Sequence, residues 1–363
     1  MKKSVLSMIL VVSMLTATLA GCGGSSVSSN SVPASSAVPS ETAPSSAASA
    51  PTTAALSEKA DLTWGTGTLG GTIQLMGTAC ASVLQSEIDN LTMSIQATGG
   101  SIENCRLLST GDIDIGHTTQ MYDAYVGEGP FAEDGANDKI LALMDIYNVE
   151  SVAIVLDKSE IQSLEDLKGK NVVLGPTGSG IASMATAVMT AYGYDSSNCN
   201  MLNLANDQAV DALKDGTVDM IWGFCSAKNP ASYLESLYSS VDCRALAQDP
   251  EKIAVACSNS KDFFQSTIAG GTLPFQQEDY INLAAPAEEF ASARLSEEAA
   301  YMIVKTICEN VDKLETYFAP AKCINVQDAL HGLPEEVPIH PGAAKYYKEA
   351  GVWDDSYTIG TID

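Results

Sequence analysis

Residues 61–363 contain short apolar segments and longer amphipathic segments in alternation, and this order predicts strands that are followed by helices. One of the short segments switches between apolar and polar residues at every position, which is typical of a strand with one buried face. In the first part of this region, strands are predicted over 62–64, 91–97 and 113–116, and helices up to residue 86 and over 101–108. Ser101 is expected to be the N-cap of the second helix. The alternation predicts α/β structure with mainly parallel strands.

The same order of elements recurs in the middle of the chain, and helices dominate towards its end. Strands are predicted over 171–175, 200–204, 218–223 and 253–256, and helices over 163–167, up to residue 192, and over 207–213, 296–317 and 341–350. Two further apolar segments, 141–146 and 152–156, are predicted to be strands near the point where the chain first crosses between lobes. The chain is expected to return near residues 280–284. The sequence thus predicts a hinged clamshell, with lobe 1 formed by residues 58–150 and 281–363 and lobe 2 by residues 151–280.

The N-terminal residues have the pattern of an export signal. Two lysines, an apolar run over residues 5–19 and small residues stand before Cys22. The order Leu-Ala-Gly-Cys resembles the bacterial lipobox, in which the cysteine is acylated. An ordinary signal peptide with an incidental cysteine is the alternative interpretation. We predict a lipoprotein signal over residues 1–22, lipid attachment at Cys22, and an extracytoplasmic protein that is lipid-anchored to the cell membrane.

Residues 23–57 are predicted to be a disordered tether. They consist almost entirely of serine, alanine, proline, threonine and glycine, and such a composition buries too little apolar surface to offset the entropy of ordering. No later run of about 18 apolar residues predicts a membrane span.

Charge and cysteine content narrow the class of protein. The chain has 45 acidic and 19 basic residues and a formal net charge of −26, which argues against nucleic acid as a partner. Eight cysteines remain besides Cys22, and an even number outside the cell permits disulfides, although several lie in apolar segments as buried free thiols do. No cysteine or histidine cluster has the spacing of metal ligands. The sequence therefore predicts no metal, and it leaves the disulfide pairing open.

A glycine-rich turn follows the first predicted strand. Its glycines at positions 65, 67 and 70 match the dinucleotide-binding pattern by letter, but the match alone is weak and the protein is predicted to be exported. A purely structural tight turn is a second interpretation. The third, which we favour, is a turn that holds the carboxylate of a small solute at the N-terminus of the following helix. Thr66, Thr68 and Thr72 would then provide hydroxyl groups.

A second glycine-rich turn over residues 175–181 has glycines at the spacing of a P-loop. Ile181 stands where the phosphate-binding lysine belongs, so ATP binding is not expected. The turn still offers free N–H groups and the hydroxyls of Thr177 and Ser179. One such turn in each lobe, both beyond the carboxyl ends of strands, predicts a binding cleft between the lobes.

The sequence shows no arrangement of catalytic residues. It has three histidines, at positions 117, 331 and 340, and neither a nucleophile elbow nor a zinc-type histidine pair. His117 follows a predicted strand, where it is either a ligand contact or a buried core histidine. The acidic pairs Glu288-Glu289 and Glu297-Glu298 are predicted to be solvated on a loop or helix surface. We expect no enzymatic activity and no cofactor.

Seven short segments in order along the chain resemble the TAXI family, the solute receptors of one class of TRAP transporters. No single segment is specific, but the ordered set spans nearly the whole region that is predicted to fold. The segments are Gly65–Gly71, Thr98–Asn104, Ser163–Lys170, Gly178–Gly180, Ala209–Gly216, Asn229–Pro230 and Ile339–Lys348.

This resemblance implies a periplasmic-binding-protein type II fold, with two α/β lobes joined by hinge strands, and no enzymatic activity. It implies that the protein delivers a small organic acid or amino acid, such as glutamate, to TRAP permease membrane subunits that an ion gradient drives. The implied ligand contacts are Thr66, Gly67, Thr68, Ser101, Asn104, Thr177, Gly178 and Ser179.

The segment 117–120 reads His-Thr-Thr-Gln and departs from the family pattern, so His117 and Thr119 are expected at the ligand with an altered specificity. Trp222 and Phe224 are placed where lobe 2 meets the ligand, although Trp222 is equally well interpreted as a core residue. A lipid-anchored ligand sensor without a transport partner is the alternative function.

Overall fold

The computed structural model describes residues 54–363. The predicted signal over residues 1–22, the lipid-attachment cysteine Cys22 and most of the predicted tether lie outside the described residues. The last four residues of that tether, 54–57, differ from the prediction because they begin the first strand. No helix in the described region is both long enough and apolar enough to cross a membrane.

The first part of the chain forms three strands and three helices. The strands are β1 (Ala54–Gly65), β2 (Ile88–Gln96) and β3 (Ile115–Thr118), and the helices are α1 (Thr72–Glu87), α2 (Ser101–Thr110) and α3 (Met121–Val126). Strand β1 runs parallel to both β2 and β3, as the alternation of elements predicts. The N-cap of α2 is Gly100 and not Ser101. Gly100 has φ 112°, which only glycine adopts readily, and Ser101 is the first helical residue.

The middle of the chain begins with a long strand, and α/β units follow it. The strands are β4 (Ile140–Leu156), β5 (Asn171–Val173), β6 (Asn200–Leu202), β7 (Met220–Ser226), β8 (Asn229–Pro230), β9 (Cys243–Ala245) and β10 (Phe264–Ile268). The helices are α4 (Gly180–Ala191), α5 (Asn206–Lys214), α6 (Ser232–Tyr238) and α7 (Pro250–Cys257). Strand β5 is parallel to β6 and to β7, so this part of the chain builds a second parallel unit.

The last part of the chain consists of one long strand and three helices. These are β11 (Tyr280–Ser292), α8 (Glu297–Glu309), α9 (Val311–Tyr317) and α10 (Pro341–Glu349). Short 3₁₀ turns over 129–131, 164–167 and 319–323 complete the described elements. A single helix was predicted over 296–317, and it is broken at Asn310.

All described strands belong to one sheet with the order β2-β1-β3-β11-β4-β7-β5-β6. Three short strands pair with members of this series: β8 with β7, β9 with β4 and β10 with β11. The antiparallel strands β4 and β11 lie at its centre. The C-terminal part of β11 pairs with β3, while the C-terminal part of β4 pairs with β7. These two strands therefore connect a first lobe, built on β1–β3, with a second lobe, built on β5–β7. The predicted α/β fold of the periplasmic-binding-protein type II, with two lobes joined by hinge strands, is confirmed.

Two further predictions about local structure are wrong. Residues 253–256 were predicted to be a strand but lie in α7, where the side chain of Asp249 accepts the N–H of Glu251 and Pro250 occupies the first turn. The pair Glu288-Glu289 was predicted to be solvated but is buried inside β11, between β3 and β4. The pair Glu297-Glu298 is exposed in the first turn of α8, as predicted.

The described cysteines form no disulfide. Cys80, Cys105, Cys199 and Cys225 are buried, and the other four are partly buried. Burial raises the pKa of the Cys105 thiol to about 12, so this thiol is an unreactive core group.

Candidate ligand-binding site

A cavity of about 80 Å³ lies between the two lobes. Its wall is formed by the ends of β3 and β7, by the turns after β1, β2 and β5, by the starts of the helices α1, α2, α4 and α5, and by one residue of β4. The lining residues are Thr66, Gly67, Thr68, Gly71, Thr72, Ile73, Gly99, Gly100, Ser101, His117, Thr119, Val149, Pro176, Ser179, Gly180, Ile181, Asn206, Phe224 and Ser226. Pockets for small organic ligands usually measure about 300–1,000 Å³. The cavity is therefore too narrow for a solute of that size, which requires the lobes to separate before it enters.

Four of the described helices begin at this cavity, and one of them is α5, whose first residue Asn206 lies on the wall. Helix α1 starts after Gly71, α2 starts after Gly100, and α4 starts after Ser179. The N-caps of α1 and α2 supply no side-chain acceptor, which leaves the first N–H groups of α1 available, whereas in α2 the N–H of Ile102 already has a backbone partner in Gly178. Helix N-termini carry a partial positive charge and bind anions. The cavity thus combines four such termini, two from each lobe.

The two predicted glycine turns meet at this cavity. Gly67 and Thr68 of the first turn lie on its wall. In the second turn, the carbonyl of Gly178 accepts the N–H of Ile102 across the two lobes at 3.1 Å. This backbone hydrogen bond holds the two lobes together beside the cavity.

The hydroxyl groups around the cavity hold its loops in place. Thr66 Oγ1 donates to the carbonyl of Gln96 at 3.0 Å. Ser101 Oγ accepts the N–H of Thr119 at 3.1 Å and lies 3.2 Å from Thr119 Oγ1. Ser179 Oγ donates to the carbonyl of Pro176 at 2.6 Å and accepts the N–H of Ala182. These hydroxyl groups therefore connect and stabilise the segments around the cavity, and their contact with a ligand stays a prediction.

Asn104 is not on the cavity wall but directly behind it. Its Nδ2 donates to the carbonyls of Thr66 and His117 at 2.6 and 2.8 Å, and its Oδ1 accepts from Thr98 Oγ1 at 2.7 Å. The side chain is fully buried. Asn104 thus ties the first glycine turn to the end of β3, and the structure places it as a positioning residue.

Asn104→Ala is expected to lower the free energy of unfolding by about 2–4 kcal/mol. The substitution leaves two buried carbonyls and one hydroxyl without their partner, and each such group costs about 1–3 kcal/mol, with partial relaxation. Urea titration monitored by circular dichroism measures the change. Thr110→Ala, at the exposed end of the same helix, is the matched control and should change stability by less than about 0.5 kcal/mol. Equal values for the two variants would contradict this role for Asn104.

His117 is on the cavity wall and forms a buried pair with a carboxylate. Its Nδ1 lies 3.1 Å from Glu289 Oε1, and Glu289 Oε2 accepts the indole N–H of Trp64 at 2.8 Å. His117 is 5 % exposed and Glu289 is 2 % exposed. Burial raises the pKa of Glu289, and its hydrogen bonds to His117 and Trp64 oppose this shift. Sequence reasoning missed Glu289 because two adjacent glutamates usually indicate a solvated surface.

The structure does not bring Thr177 and Trp222 to the cavity. Thr177 is exposed, and Trp222 packs in the hydrophobic core, as its alternative interpretation predicts. Phe224, two residues further along β7, is on the wall. Sequence analysis missed Val149 and Ser226, which pair directly with each other in β4 and β7. Only the pairing of these distant strands brings them to the cavity.

A larger crevice of about 730 Å³ lies at the hinge strands. None of the predicted site residues line it. Its wall is polar and carries Asp145, Glu150, Asp262 and Asp328 together with Lys228 and Lys261. The helix N-termini and both glycine turns converge at the smaller cavity and not at this crevice. Among residues 54–363, no group of three or more histidine, cysteine or acidic side chains is arranged to hold a metal ion.

Comparison with known proteins gives a family and several similar structures. The profile of the NMT1-like family matches residues 64–351. The aliphatic sulphonate binding protein SsuA from Escherichia coli is 16 % identical, with a TM-score of 0.39 over 72 % of this chain and 76 % of that chain. SsuA from Xanthomonas axonopodis pv. citri, bound to MOPS, is 14 % identical, with a TM-score of 0.45 over 84 % and 98 %. A putative L-cystine ABC transporter protein from Listeria monocytogenes is 14 % identical, with a TM-score of 0.44 over 71 % and 93 %.

Proposed function

Because this chain belongs to the NMT1-like family, we propose that it is an extracytoplasmic solute receptor that binds a small organic acid or amino acid between its lobes. The resemblance to TAXI receptors supports glutamate and related carboxylates as the class of solute. The receptor delivers the solute to the membrane subunits of a TRAP permease, and Cys22 carries the lipid that anchors it to the membrane. The lobes extend over residues 58–150 with 281–363, and over 151–280.

The observation that carries this proposal is the convergence of four helix N-termini from two lobes on one cavity. The described cavity wall contains neither lysine nor arginine. A carboxylate placed there would therefore be bound by hydrogen bonds from backbone N–H groups. Binding from both lobes favours the closed state only as far as the solute binds that state better than the open one. Solute capture and lobe closure are therefore one event.

The test begins with the solute that accompanies the purified protein. Native mass spectrometry of the full chain, purified without denaturation, is expected to show an added mass of a small acid. Calorimetry then measures the affinity for L-glutamate. The controls are L-glutamine, which lacks the side-chain carboxylate, and L-glutamate amidated at its α-carboxylate. Binding of L-glutamate that is lost when its α-carboxylate is amidated supports the proposal. Absence of both a retained solute and any carboxylate binding would overturn it.

The transport partner is tested separately in cells that express the receptor together with TRAP permease subunits. Uptake of the retained solute should require both proteins and should stop when the ion gradient is dissipated. Uptake that persists without the gradient but stops on ATP depletion would contradict a TRAP partner. A receptor that binds its solute without supporting any uptake would favour the sensor alternative.

A further inference from the structure

We propose that Glu289 and His117 together hold two protons, so that Nε2 of His117 presents an N–H group to the cavity and donates a hydrogen bond to the anionic group of the solute. The inference rests on the proposed function for the identity of the solute. Glu289 acts through His117 and is a positioning residue. The receptor then prefers a solute that places a hydrogen-bond acceptor, such as a carboxylate oxygen, next to Nε2 of His117.

The geometry fixes which edge of the ring is free. Glu289 in β11 and His117 in β3 are direct partners in the antiparallel pairing of the two strands. The Nδ1 edge of the ring lies against Glu289 Oε1, and the backbone carbonyl of His117 accepts from Asn104. Within the described residues the ring of His117 is hydrogen-bonded through Nδ1 and not through Nε2, and His117 is on the cavity wall. A solute in the cavity is thus positioned to contact Nε2.

Counting protons decides what Nε2 offers. If the pair carries one proton, that proton lies between Nδ1 and the carboxylate, the net charge is −1, and Nε2 is an acceptor. If the pair carries two protons, the net charge is zero. The second case has two arrangements, an imidazolium beside a carboxylate or a neutral imidazole beside a carboxylic acid. In both arrangements Nε2 bears a hydrogen.

The surroundings favour the neutral pair. Glu289 is buried, and a buried net charge without a counterion is costly. The titratable groups that interact with it are His117 on β3, Cys80 on α1, Tyr147 on β4 and Glu288 next to it on β11. Among the described residues, no lysine or arginine forms an ion pair with Glu289. Trp64 on β1 donates one neutral hydrogen bond. Since His117 is the only basic group at this carboxylate, the pair reaches neutrality by binding a proton.

The consequence is a binding site whose preference depends on pH. With the proton in place, the N–H of His117 joins the helix N-termini in binding an anion. Once the proton leaves, Nε2 of His117 presents a lone pair at the same position, and the two side chains together carry a net charge of −1. Both features repel a carboxylate. The affinity for L-glutamate should then fall about tenfold for each unit of pH above the titration of the pair, because binding requires one proton.

The decisive measurement is ¹⁵N NMR of the histidine rings in the full chain without solute. The protein has three histidines, and His117→Gln assigns the signal of His117. At pH 7 the wild-type Nε2 should be protonated, and it should lose its hydrogen as the pH rises. In Glu289→Gln, the amide oxygen accepts from Trp64 and the amide N–H₂ donates to Nδ1, so that Nε2 should keep its hydrogen throughout.

Two outcomes would overturn the proposal. One is a wild-type Nε2 without a hydrogen at pH 7, and the other is the same pH course in wild type and Glu289→Gln. Glu288→Gln is the matched control, since it removes the neighbouring carboxylate on the same strand and should preserve the loss of the Nε2 hydrogen. The NMR result does not depend on a solute, so it stands or falls separately from the calorimetric test of the proposed function. Calorimetry with L-glutamate between pH 6 and 9 supplies the second readout, and an affinity that does not change with pH would contradict proton-linked binding.

Discussion

Gly180→Ala should prevent the lobes from closing and should weaken solute binding by about a hundredfold or more. Gly180 is the first residue of α4 in the second lobe and lies against the first lobe. A Cβ atom at this position would lie 2.7 Å from Ser101 Oγ and still closer to Thr119 Oγ1. Both oxygens are held by hydrogen bonds within the first lobe, so they cannot move aside without breaking them.

The size of the effect follows from the hydrogen bonds that the open state lacks. A solute held by the first lobe alone loses two hydrogen bonds from α4, those from the N–H groups of Gly180 and Ile181, since the N–H of Ala182 is already bonded to Ser179 Oγ. Each hydrogen bond to a charged group contributes about 1.5–3 kcal/mol, and about 2.7 kcal/mol corresponds to a hundredfold change in affinity. Neither lobe is damaged, because alanine favours a helix by about 1 kcal/mol over glycine.

Hydrogen exchange measures closure without a ligand. The N–H of Ile102 donates to Gly178 across the lobes and should exchange slowly in the wild type and faster in Gly180→Ala. Amides in the interior of β2 should be equally protected in both proteins. Thr186→Ala, on the exposed side of α4, is the control for helix propensity and should leave Ile102 protected. Unchanged protection of Ile102 in Gly180→Ala, or unchanged affinity for the retained solute, would show that this glycine does not control closure.

The fold could be predicted from the sequence wherever local patterns and three-dimensional structure agree. Alternation in 91–97 and the glycine turn before α1 identify β2 and the first α/β unit, since each signal lies within a few residues. Strand β4 was predicted as two strands because polar residues interrupt its apolar sequence near Asn148. Its continuity comes from pairing with β11 and β7, which lie far away along the chain. Tertiary pairing outweighed local polarity there.

The candidate site shows the same division. The glycine turns that line the cavity could be identified because glycine, a preceding strand and a following helix are adjacent in the sequence. The roles of Asn104 and Glu289 could not, since each depends on partners from other elements. Acidic residues are almost never fully buried without a partner, so the sequence alone favours a solvated Glu289. Only its register opposite His117 shows that a partner exists.

The wild-type protein should become less stable as the pH rises, and Glu288→Gln should make this loss of stability smaller. Glu288 is fully buried in β11, where Oε2 accepts the N–H of Met121 and Oε1 has no partner among the described residues. Burial, together with the nearby carboxylates of Asp262 and Asp145, raises its pKa well above the ordinary value. The folded protein therefore keeps a proton that the unfolded chain releases.

The sign of the effect follows from this difference in proton binding. Below the ordinary pKa of a glutamate, both states are protonated and Glu288 costs nothing by ionisation. Above it the unfolded state is favoured by up to about 1.4 kcal/mol for each pH unit, until the folded protein also ionises. Glutamine has no such titration. The advantage of Glu288→Gln over the wild type should thus grow from pH 5 to pH 8.

Urea titrations at pH 5, 6, 7 and 8 test this expectation. The stability of the variant should still fall with pH, because burial also raises the pKa of Asp145 to about 8, of Asp262 to about 7 and of Asp123 to about 6. Its slope should nevertheless be smaller than that of the wild type. Glu297→Gln, at an exposed position in α8, should run parallel to the wild type at every pH. If Glu288→Gln were also parallel to the wild type, then Glu288 would not hold its proton in the folded protein, and the buried carboxyl groups of β11 would have to be neutralised in another way.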